Sequence, residues 1–210
     1  MIELSDYILS TPDKNGKYRT VVGREATQQG RYFQNMVTRA KNPKYKETFP
    51  TYKDVTITPY MEDFQLFAEW CLNQQGFGYK KFVLDKDILG GNIQQYNECT
   101  CVFIPPIING FVLNKFQNRK EEMPLGVTFC ETEGKYKAYC SQLNGKNKTI
   151  GRFSNSTDAG VAYIDFKNSL ARDLANIWKP YIDERVYAFL AKYNVQIHCG
   201  DVKCNHPLYT

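Results

Sequence analysis

Gly126-Val127-Thr128-Phe129-Cys130, Tyr136-Lys137-Ala138-Tyr139-Cys140-Ser141-Gln142 and Thr149-Ile150-Gly151-Arg152-Phe153 decide the fold of this chain. Val127 to Cys130, Tyr136 to Gln142 and Thr149 to Phe153 each read as a short strand. Glu133-Gly134 and Asn144-Gly145-Lys146-Asn147 supply the turns between them. After Phe153, a cap from Ser154 or Asn155 starts a long helix, on which Ala159, Ala162, Tyr163, Phe166, Leu170, Leu174 and Ile177 form one apolar stripe. Three antiparallel strands and a helix make an α+β module over 124–178, with a core expected from Val127, Ala138, Phe153, Ala162 and Phe166.

Upstream, helical spacing predicts helices over 28–40 and 62–73, the second with Phe64, Phe67, Ala68 and Cys71 on one face. Tyr52 to Ile57, Phe82 to Leu84 and Cys101 to Ile104 suit short strands, with Gly90-Gly91-Asn92 as the turn between the last two. Pro180 opens a final helix carrying Ile182, Val186, Phe189 and Leu190 on one face. The expected divisions are a basic segment over 1–60, a block over 61–123, the module over 124–178, and a helix and tail over 179–210.

The chain has 210 residues, 42% hydrophobic and 23% charged, which fits a globular protein and excludes a largely disordered or fibrous one. No apolar run is long enough to span a membrane, and the first residues lack a secretory pattern, so a cytoplasmic location is expected. Seven cysteines in that compartment predict free thiols rather than a disulfide framework. Residues 1–60 hold ten Lys and Arg against six Asp and Glu, residues 61–109 three against six, and residues 110–152 eight against four. Two basic segments flanking an acidic centre suit a metal-dependent enzyme acting on a polyanion; solvated charge clustered by chance gives the same count.

Period-two alternation places Lys135, Lys137, Tyr139 and Ser141 on one face of the middle strand, with Arg152 on its neighbour. Such a face can enter a DNA major groove and meet phosphates and base edges; it also suits a face in contact only with water. Gly126-Val127, Tyr136-Lys137-Ala138, Ile150-Gly151-Arg152-Phe153 and Ala159 with Ala162-Tyr163 resemble the DNA-binding domain of plant APETALA and ethylene-response factors. That resemblance implies double-stranded DNA as partner, read by strand side chains. The arginine-rich first strand of the plant proteins is missing, so their base specificity does not carry over.

Leu84-Asp85-Lys86-Asp87-Ile88-Leu89, Gly91-Asn92, Tyr96, Cys101-Val102-Phe103-Ile104-Pro105 and Ile108-Asn109 resemble phage-encoded HNH-type homing endonucleases, which place this block ahead of such a module. Met36, Arg39, Asn42-Pro43, Tyr52-Lys53-Asp54-Val55 and 64–70 fit the same group. The resemblance implies an HNH-like ββα unit holding one Mg2+ or Mn2+ ion, with Asp85 and Asp87 as metal ligands and Asp85, Lys86, Asp87, Asn92 and Asn109 as catalytic candidates. The basic N-terminal segment is expected to add DNA contacts from Arg39 and Lys41.

In the common pattern a histidine deprotonates the attacking water. Here Lys86 stands in that position, and a lysine amine ordinarily stays protonated at neutral pH, so it is a poor general base that could clamp a phosphate or neutralise the carboxylates. Thr100, Cys101 and Asn109 stand where a helix Asn or His would lie. The expected function is therefore site-specific DNA binding, either with metal-dependent cleavage or nicking, or as a nuclease-inactive repressor or competitor. Both histidines fall in the tail, in His198-Cys199-x4-Cys204-x-His206, whose spacing fits no common zinc module; zinc is not expected there. Cys99 and Cys101 read as small apolar filler rather than a metal pair.

Overall fold

The computed structural model describes residues 2–112, 123–198 and 201–204, the side chains of 195–204 excepted. The chain is α+β and divides into two compact units, Met1–Val112 with Tyr181–Asp183, and Leu113–Pro180 with Glu184–Thr210. The segments 1–60 and 61–112 therefore belong to one unit. No helix among the described residues is long and apolar enough to cross a membrane.

In the first unit β1 (Val21–Val22) and β2 (Glu25–Ala26) form a small antiparallel pair. α1 (Gln28–Lys41) begins where Thr27 Oγ1 accepts from Gly30 N at 3.1 Å, a bond that satisfies one of the donors a helix start leaves open. Asn42 ends α1 and caps α2 (Pro43–Thr48), its side chain accepting from Tyr45 N. β3 (Thr56–Ile57), α3 (Pro59–Glu62) and α4 (Phe64–Leu72) follow. The single helix expected over 62–73 is interrupted because Asp63 is extended and its carboxylate accepts from Gln65 N and Leu66 N, restarting the helix.

β4 (Val83–Asp85) and β6 (Val102–Ile104) pair antiparallel, Asp85 opposite Val102, and α5 (Pro106–Val112) follows directly. Gly90-Gly91-Asn92 is not a tight hairpin between them. The connection instead carries β5 (Gln95–Tyr96), which pairs in parallel with β3. An aromatic core lies beneath: Phe67, Trp70 and Phe103 are buried, with ring centroids 5.9 Å and 5.7 Å apart in sequence.

The second unit holds β7 (Val127–Cys130), β8 (Lys135–Ser141) and β9 (Asn147–Phe153), an antiparallel sheet in that order. Ala138 faces Gly151 but Tyr139 faces Thr149, so Ile150 is an extra residue on β9. The bulge leaves the alternation of β8 intact. α6 (Ser156–Trp178) is capped by Asn155, whose side-chain oxygen accepts from Asp158 N at 2.8 Å. Val127, Ala138 and Ala159 form the buried centre, with Met123, Tyr136, Ile150 and Phe153 packed against it. α7 (Glu184–Ala191) packs along α6, and β10 (Val195–His198) pairs with β11 (Asp201–Cys204).

The buried arc of α6 differs from the expected stripe. Ile177 is 57% exposed, whereas Lys167 and Asn168 are buried. Ala162 and Phe166 are only half-buried, and Tyr163, Leu170 and Leu174 take the deep positions. The reason is a second packing partner: α6 touches both the sheet and α7, and Asn168 Nδ2 donates to Asn194 Oδ1 at 2.9 Å on that side.

Candidate nucleic-acid interface and carboxylate cluster

Lys135, Lys137, Tyr139 and Ser141 project from β8 on the face opposite α6, because Ala138 and Cys140 between them are the buried ones. Arg152 stands opposite Lys137 on the same face, and Thr149 opposite Tyr139. Ser141 Oγ donates to Asn147 Oδ1 at 2.7 Å, which ties the far end of the face together. The structure thus brings five of the expected DNA-contacting residues onto one surface. Sequence reasoning missed Glu133, whose Oε2 lies 2.7 Å from Arg152 Nε, with both side chains about half-exposed. Its place in the β7–β8 turn was legible, but its reach across to β9 was not. Lys148 belongs to the other face, its amine 4.9 Å from the Phe166 ring centroid.

Arg39 and Lys41, expected to contact DNA, lie at the end of α1 in the first unit. Arg39 is turned inward, hydrogen-bonded to the Tyr96 hydroxyl and 5.9 Å from the Tyr52 ring centroid. Lys41 pairs with Glu62. Both have partners within their own unit.

Asp85 ends β4 and is only 7% exposed. Its Oδ1 accepts from Asp87 N at 3.0 Å and Ile88 N at 2.8 Å, so the carboxylate closes the turn that follows the strand. Burial nevertheless pushes its carboxyl up to about 6, outweighing those two bonds. Lys86 is buried, its ammonium paired with the Asp87 carboxylate, 3.5 Å from Gln94 Oε1 and 5.7 Å from the Tyr52 ring centroid. Burial raises the neighbouring Cys101 thiol to about 12, so it is not a thiolate at neutral pH.

Asn92 is exposed and Asn109 is half-buried on α5. Neither is hydrogen-bonded to Asp85 or Asp87 among the described residues. No group of three His, Cys, Asp or Glu side chains there is arranged to hold a metal. A magnesium-like ion needs several oxygen ligands; Asp85 Oδ1 is already engaged by two N–H groups, which leaves one oxygen of that carboxylate, and the Asp87 carboxylate is paired with Lys86. The residues present do not fit that ion in this arrangement. His198, Cys199, Cys204 and His206 lie outside the described side chains. No family model, curated protein or solved structure matches the chain.

Proposed function

We propose that the protein binds double-stranded DNA at a preferred site, laying the open face of β7–β8–β9 in the major groove. The observation that carries this reading is the unbroken alternation on β8, which sets two lysines, a tyrosine and a serine beside Arg152 on a face that α6 leaves uncovered. Cations at that spacing meet phosphates, and hydroxyls reach base edges. In this reading the first unit is a nuclease-like body whose Lys86 seals the carboxylates, and the protein acts as a repressor or competitor at its site.

A second reading, a metal-dependent endonuclease of the homing type, is favoured by one observation: β4 and β6 pair antiparallel and α5 follows, the element order of a ββα nuclease unit. Footprinting of the full chain on phage genomic fragments in EDTA, beside plasmid nicking over a magnesium and manganese series, separates the two. Protection without cleavage is the expected result. Metal-dependent cleavage abolished by Asp85→Ala would replace it with the second reading, and absence of DNA binding would remove both.

A further inference from the structure

The bulge in β9 divides the open face of the sheet by charge. Toward the β7–β8 turn stand Lys135, Lys137 and Arg152, with Arg152 opposite Lys137. Toward the β8–β9 turn stand Tyr139 opposite Thr149 and Ser141 opposite Asn147, four side chains without charge. The register shift falls between Ala138 and Tyr139, at the boundary itself. A bulge bends its strand and increases the local twist, so the neutral end is aimed differently from the cationic one. Lys146, exposed in the connection between β8 and β9, lies beyond the neutral end. Cations therefore stand on both sides of a neutral patch.

The chemistry of that patch is narrow. Guanine is most often read by Arg or Lys reaching O6 and N7, and cytosine by Asp or Glu accepting from its amino group. The patch holds none of these four residue types. Arg152, at the cationic end, is drawn to Glu133 at 2.7 Å. Adenine is read by an Asn amide that donates to N7 and accepts from N6, and the thymine methyl by apolar carbon such as a threonine methyl. Asn147 and Thr149 supply both, exposed two positions apart on the open face of β9. Ser141 Oγ donates to Asn147 Oδ1 at 2.7 Å, which orients the amide and leaves that oxygen a second lone pair for a base.

Resting on the DNA-binding reading above, we propose that the neutral patch selects A·T base pairs: Asn147 reads adenine, Thr149 meets a thymine methyl, and the cations on either side hold phosphates. Specificity and electrostatic affinity then sit in separate side chains of one sheet.

Selection of bound duplexes from a random pool by the full chain, followed by anisotropy titration of the recovered site, tests this. Adjacent A·T pairs are expected in the recovered sites. Replacing their thymines with uracil, which removes only the methyl group, should weaken wild-type binding about threefold or more. Thr149→Ser, which lacks the threonine methyl, should lose most of that penalty at an unchanged slope of log affinity against log salt. Asn147→Ala should lower the ratio of affinities for the selected site and for a random duplex about fivefold or more, again at unchanged slope. Recovered sites without an A·T preference, an equal uracil penalty in wild type and Thr149→Ser, or an unchanged ratio in Asn147→Ala would overturn the proposal and leave DNA binding by this face in place. Sites fixed by G·C pairs would also overturn it, assigning the reading to Lys137 and Arg152 instead. Retention of no duplex at all would overturn it together with the DNA-binding reading.

Discussion

The ring of Tyr163 on α6 lies against the backbone of Gly126 at the start of the sheet: a Cβ at 126 would stand 2.2 Å from Tyr163 Cδ2 and 2.7 Å from Tyr139 O. Gly126 also has φ +69°, and its carbonyl accepts from Tyr139 N at 2.8 Å. One glycine thus joins the helix, the first strand and the strand that carries the open face. Gly126→Ala is expected to cost at least about 2 kcal/mol through φ strain and overlap. Adding Tyr163→Ala should cost less than the sum of the two single changes, because the smaller side chain removes the overlap. Urea unfolding of the single and double variants checks this; additive costs would mean that the contact is not what constrains position 126.

In the proposed DNA-binding reading, the Arg152–Glu133 ion pair holds back one of the cations of the open face. Glu133→Gln should release Arg152 and tighten DNA binding by about two- to tenfold, an effect within the range of an exposed ion pair. Lys137→Ala and Arg152→Ala should each lower the slope of log affinity against log salt by about one. Anisotropy titrations over a salt series measure both; unchanged slopes would leave the face without a polyanion partner.

Asp85 gives the first unit a pH signature. Its folded carboxyl, near 6, lies above the ordinary 3.8, so the native state binds more protons than the unfolded state between those values. Stability from this group is present below about pH 4 and is lost as pH rises through about 6, a change of at most about 3 kcal/mol. Asp85→Asn keeps a side-chain oxygen for the two N–H groups and should flatten this fall. Equal slopes of stability against pH in both proteins over pH 4–7 would refute the assignment.

Lys86 and Asp87 should behave as a unit. Lys86→Ala leaves the Asp87 carboxylate uncompensated and is expected to cost about 1–3 kcal/mol, with part recovered when Asp87→Ala is added. Lys86→His should confer no cleavage in a plasmid-nicking assay, because the metal ligands are missing from this arrangement. Cleavage gained by that single change would show that the histidine position alone had been lost.

Phe166 and Leu174 measure how far α6 could be read from its sequence. A periodicity of 3.6 gives the helix and its general face, but not the rotation imposed when α7 adds a second covering surface. Phe166→Ala should cost only about 1–2 kcal/mol at a half-buried site, and Leu174→Ala, at 0% exposure, about 2–5 kcal/mol. Calorimetric melting temperatures rank the two; a larger effect at Phe166 would return the core to the stripe the periodicity suggests.

The three strands of the sheet were legible because each is bounded by a turn sequence and its face is set by period two. The short elements of the first unit were not. Gln95–Tyr96 is two residues long and pairs with a partner 39 positions earlier, which no local pattern encodes. The resemblance to HNH-type nucleases suggested the carboxylates at 85 and 87 as ligands, but the burial of Lys86 beside Tyr52 and Gln94, which approach from elsewhere in the chain, is not written in any local pattern.

That pairing of Thr56 with Gln95 and Ile57 with Tyr96 bears on the order in which the chain folds. The β7–β8–β9 ladder closes through turns of a few residues, so its loop-closure cost is small and it can form early. β3 and β5 must meet across a long loop for a pairing only two residues deep. The later-synthesised sheet is therefore expected to acquire amide protection first during refolding, and the backbone around Thr56 and Tyr96 to acquire it last.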